Sequence, residues 1–367
     1  MPIRPASLQR GLCALALILV LALAAATAFS PAFLDSWVSL IMVSMVPTQM
    51  VVSLLWQGQW PARAASLPQP WRGLLHTAGT LISAVIIAYL ALQITGAGAT
   101  PPTPFTILYL ILSVPVTLAL IVLFQAWPFQ QLFRSPGLQG LALLAGAYAM
   151  TWLLFTRFFN FSFAAQAPFY LSNLDPQGIW TAWLPLTASL AALSFMLVLV
   201  LLDFWPLDAA ARRWPRLTRQ PWRGLTAGLC VAACTALLLC MGLSWAAMDV
   251  VVFMTRICVA SIFGLFIVLV MLEGVPQLVL PQPWRGLCLT LAAGLLGQLM
   301  YALYRAIALW RFGLSGGAAP YALDLWLAAS MLAVTFPAMV FFAQYFQFWP
   351  LARPAAAPAP HLRQPNP

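Results

Sequence analysis

The chain has no lysine, only seven acidic residues and two histidines, so several kinds of chemistry lack the groups they need. A Walker-type phosphate loop and Schiff-base catalysis both require lysine, and there is no nucleophile elbow. His76 and His361 are too isolated in the chain to make a bis-histidine haem or zinc site. Cys13, Cys230, Cys234, Cys240, Cys258 and Cys288 all lie inside apolar runs, which excludes a disulfide framework. Cys230 and Cys234 are four apart, but no nearby histidine or acid completes a ligand set, so they read as small packing residues. No metal, cofactor or catalytic residue is therefore expected, and the chain is not read as an enzyme.

Charge is scarce as a whole. At 7% charged and 63% hydrophobic residues, with mean hydropathy +0.93, too little polar surface exists to cover a water-soluble globule. What is present is a series of apolar runs, near 11–30, 37–59, 72–93, 105–126, 138–158, 179–204, 222–244, 247–273, 284–310 and 321–348. Each is close to or above the ~20 residues that cross a bilayer as helix. They are continuous rather than alternating, which excludes a β-barrel. The expected fold is an all-α polytopic membrane protein of about ten spans, with residues 1–350 as a single membrane domain and 351–367 as a disordered Pro/Ala-rich tail.

The hexapeptide Gln-Pro-Trp-Arg-Gly-Leu occurs at 69–74, 220–225 and 282–287, with degraded copies near 9–12 and 135–141. Trp-Pro closes the following even span at 60–61, 127–128, 205–206 and 349–350, with Val275-Pro276 in its place once. The pattern predicts five tandem helical hairpins, at 9–61, 69–128, 136–206, 220–276 and 282–350. Residues 1–28 also resemble a signal peptide. The Arg-Gly-Leu that they share with the later repeats favours a retained first helix.

All seventeen basic residues are arginines, and thirteen fall on the side of the Pro-Trp loops and the two termini. Short Arg-rich loops stay in the cytoplasm, so both termini are expected there, in a bacterial inner membrane. The net charge of +10 is thus a topology signal with some attraction to anionic lipid, and nucleic acid is not an expected partner. Tryptophans cluster near both predicted rims as aromatic belts. Two stripes of small residues, Gly224–Gly228–Ala232–Ala236 and Gly286–Thr290–Gly294, are expected to be helix-packing faces.

Three sets of residues are candidates for function. Gln57, Gln125, Asp203, Glu273 and Gln347 close the even spans, and Arg72, Arg223 and Arg285 open the odd ones. They are expected to pair as interfacial clamps or a gate: Gln57 with Arg72, Asp203 with Arg223, Glu273 with Arg285. Arg157, Asp249, Arg256, Arg305 and Asp324 form a candidate polar vestibule near the opposite face, with Asn160, Gln298 and Tyr304 as neutral partners. Pro47, Pro115 and Pro337 interrupt even spans and free a carbonyl one turn earlier, which can line a substrate path. The aromatic segment 158–178 reads as an interfacial stretch or a lid. The leading functional expectation is a permease or channel-like carrier for a small solute or lipid-like molecule, without proton coupling. The alternative is a non-transporting scaffold that packs against partner membrane proteins or a second copy.

Overall fold

A computed structural model of the chain describes residues 6–167, 170–276, 278–317 and 320–352. Arg4, Phe169, Arg353, His361, Arg363 and the tail from 353 onward lie outside the described residues. Among the described residues, ten helices are long and apolar enough to span a membrane. They are α1 (Ala6–Ala28), α2 (Pro31–Leu55), α3 (Trp71–Gly96), α4 (Pro104–Leu123), α5 (Pro136–Phe158), α6 (Trp183–Leu201), α7 (Trp222–Trp245), α8 (Val250–Met271), α9 (Trp284–Phe312) and α10 (Ala322–Tyr345).

The helices sort into two layers. The even helices are more than half buried and the odd ones about a quarter to a third. Each even helix packs on the next, α2 on α4, α4 on α6, α6 on α8, α8 on α10, and α10 back on α2, which closes a ring of five. Each odd helix lies outside a seam of that ring: α1 at α8/α10, α3 at α10/α2, α5 at α2/α4, α7 at α4/α6 and α9 at α6/α8. An odd helix therefore packs more closely on the even helix before it than on the one after it. The sequence reading pairs each odd helix with the following even one. In the structure the closest neighbours are instead α2 with α3, α4 with α5, α6 with α7 and α8 with α9.

The packing face of the outer helices follows one register. It runs Gly11, Ala14, Ile18 and Ala22 on α1, Gly73, His76, Thr80 and Ala84 on α3, and Gly140, Leu143, Ala147 and Thr151 on α5. On α7 it is Gly224, Ala227, Val231 and Thr235, and on α9 Gly286, Leu289, Ala293 and Gly297. The spacing is three, four, four in every case. The expected stripes are corrected here: Gly228 and Gly294 have open space where a side chain would stand. A strict four-residue step overshoots the 3.6-residue turn and winds off the buried face. Between α8 and α9 the backbones come closest where Gly264 meets the Ala293 carbonyl and Gly297 meets the Ala260 carbonyl. In lipid, where apolar contact with neighbours has no advantage over contact with acyl chains, such close approach is what favours association.

The opening motif staples the ring. Gln69, Gln220 and Gln282 each accept the N–H of the glycine four residues on, at 3.3, 3.1 and 3.1 Å. Their side-chain amides donate to the carbonyls of Tyr345, Leu123 and Leu201, at 2.8, 3.0 and 3.1 Å. Those carbonyls end α10, α4 and α6. The glycines of the same turn, with Gly11 and Gly140, pack against Phe346, Phe124, Leu202, Leu272 and Trp56, the residues just past the ends of α10, α4, α6, α8 and α2. The arginine turns the other way: Arg72 donates to Gly58 O (2.9 Å) after α2, and Arg285 to Gly274 O (3.0 Å) after α8. One motif thus ties an outer helix to two adjacent members of the inner ring.

Candidate functional site

The inner ring encloses an elongated cavity of about 120 Å³. All five even helices line it, α2 from Asp35 to Met50, a length of roughly 22 Å at 1.5 Å per residue. Val46, Ile111, Leu190, Ile262 and Leu332 are representative of its wall. A lining that is almost wholly apolar favours apolar guests over water. Two polar residues interrupt the wall, Ser39 and Asp35, both near the end of the ring far from the Pro-Trp motifs. Ser39 bonds back to the Leu34 carbonyl (2.9 Å). Asp35 has one carboxylate oxygen buried with no hydrogen-bond partner. The sequence does not single it out, because residue 35 precedes the apolar run 37–59, whereas the helix begins at Pro31.

Pro47, Pro115 and Pro337 are buried inside α2, α4 and α10. The residues four earlier, whose carbonyls lose their helical partner, are Val43, Ile111 and Ala333, and all three line the cavity. The Pro337 carbonyl itself accepts from Gln49 Nε2 (3.2 Å), a polar tie across the α2/α10 seam. The prolines therefore border the central path, whose surface is apolar rather than polar.

Among the described residues the vestibule set forms no ion-paired cluster. Arg157, Arg256 and Arg305 are exposed, and among the described residues none forms an ion pair. Asp249 caps α8 by accepting the Val251 and Val252 N–H groups (2.9 and 3.1 Å) and the Tyr321 hydroxyl (2.9 Å). Asp324, 2% exposed, accepts from Thr255 Oγ1 (2.8 Å) and Gly317 N (3.2 Å). Gln298 donates to the Arg256 carbonyl, Asn160 to Gly178 O, and the Tyr304 hydroxyl to Thr335 Oγ1, whose own proton goes to Ser330 O. The acids are consumed by helix starts and loops, while the arginines extend outward.

The aromatic segment after α5 is a packed cap at the far end. Phe159, Phe161 and Phe155 are buried together, and Phe161 meets Phe105 at the start of α4 at 4.5 Å between ring centroids. Two short parallel strands, Phe159–Asn160 and Trp180–Thr181, bring its ends together. Asp175 organises it, accepting from Phe161 N (3.1 Å), Gln177 N (3.0 Å) and the Tyr170 hydroxyl (2.9 Å). The hydrogen bond to Asp175 holds the Tyr170 phenol above its usual pKa, and that to Asp249 does the same for Tyr321. Phe163 lies against Trp183, which lines the central cavity, so the cap reaches the cavity mouth.

At the motif end the clamps form at the expected junctions with different atoms. Gln57, Gln125, Asp203, Glu273 and Gln347 are exposed and left-handed, with φ of 50°, 53°, 49°, 51° and 52°. The residue after each is left-handed too, and its N–H turns back to bond a carbonyl in the last turn, as Gly58 does to Val52 O and Gly274 to Val268 O. These residues therefore close helix ends, satisfying carbonyls that would otherwise be orphaned. Arg72 bonds the backbone beside Gln57, not its side chain. Arg223 pairs with Asp208 (2.9 Å) and lies over Phe204 instead of meeting Asp203. Arg285 lies 3.5 Å from Asp203, not against Glu273. A second, polar cavity of about 260 Å³ opens here between α2, α3 and α10, lined by Ser53, Gln57, Arg72, His76, Gln344 and Gln347 among others.

No family model matches the chain, and no curated protein or solved structure is detectably similar to it.

Proposed function

We propose that the chain is a membrane carrier or channel-like permease for an apolar, slender, lipid-like molecule, held within the ring of α2, α4, α6, α8 and α10. The observation that carries this reading is the closed ring around a continuous apolar cavity with a single carboxylate near one mouth. An apolar wall cannot solvate an ion or a sugar, because each would lose its hydration without replacement. It suits a molecule with no hydration to lose. Asp35 favours guests whose polar end is cationic or donates a hydrogen bond. The far-end cap beside Trp183 would gate entry. The Arg-rich motif end faces the cytoplasm in this reading, by the positive-inside rule.

The test is native mass spectrometry of the purified full-length chain. A retained small apolar adduct is expected, lost when the cavity is filled by Leu190→Phe with Ala329→Phe. A bare wild-type spectrum, or an adduct indifferent to the filling, counts against the carrier. A stoichiometric protein partner that survives the filling would point to the scaffold instead.

A further inference from the structure

The junctions at the motif end can be compared position by position, and one of them differs in its charge. Arg285 has Asp203 beside it at 3.5 Å, and Arg223 has Asp208 at 2.9 Å. At the α1 junction, Glu273 follows Leu272, the residue against which Gly11 packs. The corresponding position opposite Arg72 is Gln347, and among the described residues no carboxylate lies within ion-pair distance of Arg72. This uncompensated guanidinium lines the polar cavity of about 260 Å³, whose other polar side chains are Ser53, Gln57, His76, Gln344, Tyr345 and Gln347.

We propose that this junction of α2, α3 and α10 binds a phosphate group, presented by a free anion or by a lipid headgroup. Arg72 spends one N–H on Gly58 O, which fixes the guanidinium at the cavity wall and leaves its remaining donors available. Three glutamine amides supply neutral donors around it, and no acid lines the cavity to repel an anion. His76 strengthens the case. It is 5% exposed with Nε2 unpartnered, and it takes a place on the packing face that is Ala14, Leu143, Ala227 and Leu289 in the other outer helices. A buried imidazole in a position that elsewhere holds an apolar residue costs free energy unless it serves a polar neighbour. Phosphate is the anion that an arginine with several amide donors recognises best, since it offers acceptors in many directions. Trp71, the residue before the cavity-lining Arg72, is exposed at the rim where headgroups would sit.

The experiment uses the full chain and two probes. In detergent, thermal midpoints are measured with inorganic phosphate against chloride at equal ionic strength. In nanodiscs, native mass spectrometry compares retention of phosphatidylglycerol with that of diacylglycerol of the same acyl chains. A shift with inorganic phosphate identifies a soluble anion as ligand, and retention of phosphatidylglycerol alone identifies a headgroup. The variant is Gln347→Glu, which sets a carboxylate against Arg72 as Asp203 stands against Arg285. It is expected to fold, because Glu273 already occupies the equivalent left-handed position. It should weaken binding about tenfold or more, the loss of roughly one charge-assisted interaction. Arg72→Gln should do the same and also lose the bond to Gly58. The proposal is overturned if the wild-type chain responds to neither probe, or if Gln347→Glu binds as tightly as wild type.

Discussion

At the motif end, Gly11, Gly73, Gly140, Gly224 and Gly286 all meet the same kind of neighbour, the end of an inner helix, whereas at the far end Asp175, Asp249 and Asp324 each hold a different loop. The first end closes the ring by repetition and the second finishes it by individual fitting. A repeated junction shares its geometry with its neighbours, so a fault there strains ring closure as a whole. A fitted loop carries its hydrogen bonds locally and fails locally.

The largest effect that separates the two ends is expected from Gly286→Val. Its Cβ would stand 2.9 Å from the Leu201 carbonyl and 2.6 Å from a Leu202 methyl, where backbone cannot yield cheaply. A loss of about 1–3 kcal/mol is expected in unfolding of the whole bundle. Gly228→Val, with open space around it, should be near neutral, and equal losses in the two variants would break the comparison. Next comes Asp175→Ala, which strands two backbone donors and the Tyr170 hydroxyl. It should cost about 1–3 kcal/mol, read as faster hydrogen exchange confined to 159–182. Exchange that spreads into α2 or α8 would show that the cap also holds the ring. Gln220→Ala should cost about as much, roughly 1 kcal/mol for each of its two hydrogen bonds, measured by denaturant midpoint. Gln69→Ala should match it if the staples are equivalent, and Gln282→Ala should cost more, because Gln282 Nε2 also donates to the Asp203 carboxylate (2.7 Å).

The smallest effect is in pH. Tyr170 is held above its ordinary pKa by its bond to Asp175, so the neutral form is the one that the folded cap favours. Above about pH 10 the unfolded phenol ionises first, so the contribution is present below that range and is lost as pH rises through the folded value. An absorbance titration should contain a late-ionising phenol that disappears in Tyr170→Phe. An unchanged curve would remove the Asp175 bond from the description of the far end.

Much of this was legible in the residues. The apolar runs located all ten spans, and most of those that overshot did so at the ends of inner helices, as at 105–126 against Pro104–Leu123, where left-handed residues turn the chain out of the helix. The recurrence of Gln-Pro-Trp-Arg-Gly marked every place where the staple forms. The role of its glutamine was not legible, because the Tyr345, Leu123 and Leu201 carbonyls that it reaches lie on helices distant in sequence. The clamps were assigned to the right arginines and the wrong partners: Arg72 and Arg285 take backbone carbonyls, which leave no mark in composition, and Arg223 takes Asp208 instead of Asp203. Asp35 was not legible as a site, and Gln57, Arg72 and Gln347 were legible as a clamp or gate but not as the lining of one polar cavity. What makes each of them notable is what faces it from other helices.

Hydropathy and motif recurrence by themselves determined that this is a ten-helix membrane protein with one specialised end, because the transfer of a segment into lipid depends on that segment's own side chains. Only the tertiary structure decided that five helices close around an apolar cavity and that each outer helix covers a particular seam. Those choices rest on which backbones can approach across the whole length of the chain, as Gly73 does with Phe346, and a small residue specifies closeness without specifying to whom.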